Sequence, residues 1–156
     1  MHAPHAAAVA GHATRALQAA AAYRTSVPPG GPVERAGHQA CALWNQALFF
    51  EVHEVLEEVW KTAAGDTRDA LQGVIQIAVA FHHLAHGNPR GARALLREGR
   101  ERLRRVAPVT LPALDLAGLL SATAPWEAAL ATGTDLPGDG RPPVLGSGAP
   151  TPAARA

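Results

Sequence analysis

The stretch FFEVHEVLEEVW, Phe49 to Trp60, decides the fold class of this chain. Its apolar residues recur at intervals of three and four, which is the spacing of one face of an α-helix. At about 100° per residue, Val52, Leu56 and Val59 share that face. The opposite face carries the charged side chains of Glu51, Glu54, Glu58 and Lys61. The stretch therefore predicts an amphipathic helix with one side in a core.

Helical patterns continue on both sides of this stretch, and no run of alternating apolar and polar residues indicates a strand. The segment over about 68–86 is apolar almost all round, so we predict that it forms the central helix of an all-α domain. Gly87 ends it, and Asn88-Pro89 is a helix start signal. The predicted helices cover about 33–46, 49–63, 68–86, 88–106 and, with a break at Pro125, 111–131.

Composition divides the chain into three parts. Residues 1–32 are an alanine-rich segment, with a predicted helix over about 6–23, followed by a Pro/Gly linker. Residues 33–131 hold the periodic patterns and form the predicted all-α domain. Residues 132–156 are rich in proline and glycine, so we expect a disordered tail there.

Charge and cysteine content narrow the classes of partner. The formal net charge is +1, so no global field attracts nucleic acid, and no apolar run is long enough to cross a bilayer. Seven arginines lie between Arg90 and Arg105, but Glu98 and Glu101 are interspersed, which favours a solvated face over a nucleic-acid site. The single Cys41 and the N-terminal sequence favour a cytoplasmic protein. The alanine-rich N-terminal segment is compatible with homo-oligomerisation.

The candidate site is a set of polar residues between the second and third predicted helices. His53 and Glu57 are four residues apart, so their side chains project together, and an imidazole with a carboxylate suits zinc, iron or manganese. A third metal ligand would come from His83 on the polar stripe of the next helix. Gln72, Gln76 and Glu54 are candidate ligand-orienting groups. The alternative is a structural network in which the pair only braces two helices.

The chain also resembles a known family. The residues that carry the resemblance are Asn45, the stretch Leu48–Trp60, and Leu71–Ala80 with His83-Leu84 and Gly87-Asn88. They are similar to the signature of the bacterial and archaeal domain of unknown function 309, whose motif His-x-x-x-Glu-x-x-Trp/Tyr falls on His53, Glu57 and Trp60. The resemblance implies stacked helical hairpins and a suggested metal site at that motif. Family members often have glycine at Ala47, where alanine disfavours a left-handed turn.

Two function classes remain open at this point. One is a protein that binds a metal or small ligand, and a hydrolase is among its variants. The other is a non-enzymatic helical interaction module, in which the His53–Glu57 pair is a structural brace. A direct His–Glu hydrogen bond without a cavity would favour the brace, whereas donors converging on a shared open point would favour a ligand.

Overall fold

The computed structural model describes residues 30–148, and within that range the chain is an all-α bundle, as the sequence predicts. It has no strand there, and Leu114 and Ser147 form an isolated antiparallel bridge. The helix predicted over 6–23 lies outside the described residues. The five α-helices are α1 (Pro32–Trp44), α2 (Phe49–Trp60), α3 (Gly65–Ala85), α4 (Pro89–Arg104) and α5 (Leu116–Thr132).

Helix α3 is the centre of the bundle. It packs against α2 on one side and α4 on the other, and ten of its residues are buried. It begins at Gly65, three residues before the predicted start, and Ala64 is at the N-cap position. The early start places Arg68 over the ring of Trp60, 4.0 Å from its centroid, which fastens the α2–α3 connection.

An aromatic cluster joins four of the five helices. The Trp44 ring of α1 lies 5.1 Å from Phe49 and 5.7 Å from Phe81, both edge to face. Phe81 in turn meets Trp126 of α5 at 5.0 Å. Edge-to-face pairs at these distances add stabilisation beyond area burial. The cluster explains how a chain with few aromatic residues holds α1, α2, α3 and α5 together.

Two helix ends use the same backbone motif with different residues. The Leu48 amide donates to the Leu43 carbonyl, and the intervening Ala47 has φ 59°. At the end of α3 the backbone amide of Asn88 donates to the backbone carbonyl of His83 in the same pattern, and the left-handed residue is Gly87 with φ 73°. Alanine therefore adopts the left-handed turn at residue 47, because the buried Leu48 holds the chain against the core.

Replacing Ala47 with glycine should raise the free energy of unfolding by about 1 kcal/mol. A left-handed alanine is strained by about 1–2 kcal/mol, and glycine relieves that strain but loses more backbone entropy on folding, which offsets part of the gain. Chemical denaturation monitored by circular dichroism measures the change. The matched control is Gly87→Ala, which should destabilise the protein by a similar amount. A loss of stability in Ala47→Gly would contradict the strain at this turn.

Helix α5 continues through Pro125, where the sequence predicts a break. Proline removes one backbone hydrogen bond in a helix interior. Here the helix is held on both sides of it, since Thr123 has no exposed surface and Trp126 is 3% exposed. Tertiary packing therefore offsets the unfavourable propensity of proline.

Residues 133–148 differ from the disordered tail that composition predicts over 132–156. Residues 141–148 lie along α1, and Leu145 is 1% exposed. Its backbone exchanges two hydrogen bonds with the Asn45 side chain, at 2.9 and 3.0 Å, and the Trp44 indole donates to the Pro143 carbonyl at 2.8 Å. Side chains at the end of α1 thus pair with backbone groups of this segment, which forms no helix or strand of its own.

The same segment covers Cys41. Its thiol lies 3.2 Å from the Leu145 carbonyl, and burial raises the pKa of the thiol, with the Asn45 side chain acting in the opposite direction. A neutral thiol covered by a backbone segment acts as a packing residue. Across residues 30–148 no helix is long and apolar enough to span a membrane.

Candidate functional site

His53 and Glu57 contact each other directly on α2. The Nε2 atom of His53 lies 2.9 Å from a carboxylate oxygen of Glu57, and the two side chains are 28% and 42% exposed. With Nε2 donating to the carboxylate, Nδ1 of a neutral imidazole carries a lone pair, and this atom is buried without a hydrogen-bond partner. The contact lies within α2, and the nitrogen that faces Glu57 is engaged by its carboxylate.

Two of the other predicted site residues, Gln76 and His83, have hydrogen-bond partners outside α2. Gln76 of α3 points at α4, where its Nε2 donates to Glu98 at 3.2 Å and its Oε1 accepts from Arg102 at 3.0 Å. The Nδ1 atom of His83 lies 3.2 Å from the side-chain amide nitrogen of Asn88. Gln72 is half-buried on the same helix. Helix α3 therefore uses Gln76 to pack against α4, rather than to complete a site with α2.

Among residues 30–148 no three His, Cys, Asp or Glu side chains are grouped so that they could hold a metal ion. His53 and Glu57 supply two donors, and two donors fall short of the three or four protein ligands that zinc sites use. A metal site with His83 as third ligand stays a prediction from sequence, to which this geometry adds no ligand.

The outer edge of α2 and α3 carries a patch of imidazoles around one exposed phenyl ring. Phe50 is 44% exposed, and its ring lies 5.6 Å from that of His53 and 5.7 Å from that of His82. His82 is also 4.3 Å from His86, whose Nδ1 lies 2.8 Å from the His82 carbonyl oxygen. The patch orients His53 from outside and explains why its ring is held beside Glu57.

An open groove lies on the other side of α2, between that helix and α1. Its volume is about 590 Å³, within the range of ligand pockets. Its apolar lining comes from Pro32, Ala36, Leu43, Val55 and Val59. Its polar lining comes from Arg35, Gln39, Glu51, Glu54 and Glu58. Of the predicted site residues, only Glu54 lines this groove.

The groove is acidic. Its lining contains three glutamates and one arginine, and Glu51, Glu54 and Glu58 follow the spacing i, i+3, i+7 along α2. Glu58 meets Lys61 at 3.4 Å, with both side chains largely exposed, so this pair weakly reduces the local charge. Arg35 turns away to donate to the Gly30 carbonyl at 2.5 Å. The carboxylates form a row about 10 Å long at 1.5 Å per residue, above an apolar floor.

The sequence-based prediction missed this groove because it placed the three glutamates opposite the apolar face of α2 and assigned Glu54 to a site between α2 and α3. A signal was present in the half-buried neighbours: Val55 and Val59 extend the apolar face of α2 toward the glutamate row. An apolar face wider than one helix contact indicates a second contact surface. The spacing of residues in α2 does not predict which helix forms the other wall of the groove, because that depends on tertiary packing.

Comparison with known proteins identifies the segment that carries α2 and α3. Residues 38–95 match the model of a domain of unknown function, DUF309. An uncharacterized protein from Aquifex aeolicus (strain VF5) is 32% identical over 56 residues, which are 35% of this chain and 17% of that protein. The chain therefore matches a small part of the length of this relative.

Proposed function

We propose that this chain, whose residues 38–95 match the DUF309 model, is a helical interaction module that uses the groove which this segment helps to build. Its ligand is a cationic amphipathic helix of a partner protein, bound between α1 and α2. The observation that carries the proposal is the row of Glu51, Glu54 and Glu58 beside an apolar floor.

The spacing of the groove suits a helix better than a small cation. Carboxylates at i, i+3 and i+7 stand along one line of α2, about 5 Å from one to the next, so they do not converge on one point. Lysine or arginine residues at similar intervals on a second helix would meet the exposed carboxylates of Glu54 and Glu58, at the open end of the row, whereas one carboxylate oxygen of Glu51 is buried. Apolar side chains of that helix would cover Val55, Val59 and Leu43. This is the helix-in-groove mode of recognition.

The direct His53–Glu57 contact is consistent with an interaction module, because it fixes the side of α2 away from the groove without a bound ion. A charge-assisted hydrogen bond of 2.9 Å between side chains one turn apart stiffens the helix that carries the glutamates. In this proposal the family motif positions α2, and the adjacent glutamates make the contact with the partner.

A labelled amphipathic peptide tests the proposal by fluorescence anisotropy. The peptide carries arginines at i, i+3 and i+7 with alanine and leucine between them, and we expect saturable binding that weakens with salt. Glu54→Lys/Glu58→Lys should weaken binding about tenfold, since each reversed exposed charge removes on the order of 0.5–1 kcal/mol.

The matched control is Asp66→Lys/Asp135→Lys, which changes net charge by the same amount at exposed sites outside the groove lining. It should leave the peptide affinity within about twofold of the unmodified protein. Equal losses in both double variants would show attraction to overall charge and would refute a groove-specific interaction. Equal affinities in the unmodified protein and Glu54→Lys/Glu58→Lys would refute it as well.

A further inference from the structure

Helix α4 presents a stripe of three exposed arginines, Arg90, Arg93 and Arg97. Within residues 30–148 none of the three forms an ion pair, whereas the other arginines of this helix region do. Those paired arginines are Arg100, Arg102, Arg104 and Arg105. The stripe is therefore a concentrated positive charge that the fold itself does not compensate.

The stripe has the same spacing as the glutamate row. Arg90, Arg93 and Arg97 stand at i, i+3 and i+7, and so do Glu51, Glu54 and Glu58. Both rows extend for about 10 Å along a helix axis, with opposite charge. Two helices with such rows can place the exposed Glu54 and Glu58 opposite two arginines of the stripe in one register.

The surface between these arginines is small. Ala94 is exposed and Gly91 is half-buried on the same face of α4, so the backbone of this helix can come close to another surface. The groove offers an apolar floor of Ala36, Val55 and Val59 for such an approach. The stripe thus offers the regularly spaced cations that the proposed ligand of the groove requires, and the small residues between them permit a close approach.

We propose that the arginine stripe of α4 docks in the α1–α2 groove of a second copy of this chain. The inference rests on the proposed function of the groove and names its partner. Contact within one chain is excluded, because α2 and α4 are both packed against α3 and cannot turn toward each other. Each copy offers one stripe and one groove, so a twofold dimer forms where two copies make both contacts at once, and a longer assembly forms where they do not.

Charge exchange in the full-length chain tests this assembly. Light scattering after size exclusion, at low salt and over a range of concentrations, should give a mass above that of the 16.2 kDa chain. Glu54→Arg/Glu58→Arg and Arg93→Glu/Arg97→Glu should each be monomeric, since both contacts then oppose like charges. An equimolar mixture of the two variants should associate again, because every groove then faces a stripe of opposite charge.

A variant with all four substitutions removes net charge as an explanation. Its formal charge equals that of the original chain, its groove is basic and its stripe is acidic, so it should associate with itself. All four positions are exposed, and circular dichroism melts of each variant establish that the fold is kept. A monomeric quadruple variant would overturn the proposal.

The peptide assay separates this inference from the proposed function. Arg93→Glu/Arg97→Glu keeps an intact groove, so it should bind the cationic peptide at least as well as the original chain, in which α4 of a second copy competes. If the original chain is monomeric throughout and still binds the peptide, self-association is refuted and the interaction module stands. If neither assembly nor peptide binding is seen, both are refuted.

Discussion

Replacing Glu127 with alanine should lower the free energy of unfolding by about 3 kcal/mol, because it leaves a buried guanidinium without its carboxylate. Arg100 of α4 is 5% exposed, and its Nη1 donates to the Glu127 carboxylate of α5 at 2.6 Å. Two further N–H groups also donate to α5: Nε donates to the Thr123 hydroxyl at 2.9 Å and Nη2 to the Leu120 carbonyl at 3.0 Å. One arginine therefore holds α5 on the bundle.

Removing the Glu127 carboxylate lowers stability because Arg100 does not readily give up its proton and so stays charged. Burial lowers the pKa of its guanidinium, and the charge of Glu127 opposes that effect. An arginine pKa starts so high that the group stays charged at neutral pH even after such a shift. Without Glu127 the buried positive charge persists, with only the neutral Thr123 and Leu120 oxygens facing it.

Urea denaturation measures this change, and Glu101→Ala is the control. Glu101 pairs with Arg105 at 3.0 Å, but both side chains are more than half exposed, so its loss should cost less than about 1 kcal/mol. The double variant Arg100→Met/Glu127→Ala should recover part of the stability, since it no longer buries a charge. A Glu127→Ala protein as stable as Glu101→Ala would mean that solvent reaches the guanidinium.

The sequence predicts the helices well where one periodic face meets one core. Val52 and Leu56 have no exposed surface, as their spacing on α2 indicates. The all-round apolar pattern of α3 places that helix at the centre, and this is confirmed by its packing between α2 and α4. These features follow from period and burial alone, so a single sequence is enough to give them.

Partners of polar side chains follow from tertiary register, which the spacing leaves undetermined. Gln76 and His53 lie on helices that pack together, yet the helix rotation turns Gln76 to Arg102 of α4. The glutamates that line the groove are indistinguishable by spacing from an ordinary solvated face until α1 is placed beside them. Local pattern indicates which residues are polar and on which face, and the neighbouring helix decides what each face meets.

Composition, like spacing, does not predict tertiary partners, as the segment at 141–148 shows. Prolines and glycines predict disorder because they bury little apolar surface. One leucine and a set of backbone hydrogen bonds are enough here, since Leu145 is buried and Asn45 pairs with its amide and carbonyl. Asn45 belongs to the family signature by resemblance, and its partner lies about one hundred residues away, so its role is not visible in the local sequence.

The contact between α3 and α4 depends on two glycines. A Cβ on Gly99 would lie 2.7 Å from the Gly73 carbonyl oxygen and 2.8 Å from a side-chain carbon of Ile77. A Cβ on Gly73 would lie 2.9 Å from the Gly99 carbonyl oxygen. Two of these contacts are to backbone atoms, which cannot move without displacing a helix. The two helices therefore approach each other at a distance that only glycine permits.

Gly99→Ala should accordingly destabilise the protein by about 2–3 kcal/mol, although alanine favours a helix by about 1 kcal/mol over glycine. The steric term dominates because the α3–α4 contact holds Gln76 and Leu103 in the core, and moving α4 outward loosens both. Thermal and urea unfolding measure the loss. Gly31→Ala, which has no atom within 4 Å of its added Cβ, should change stability by less than about 0.5 kcal/mol. A Gly99→Ala protein more stable than the original would show that helix propensity outweighs the close approach of the two helices.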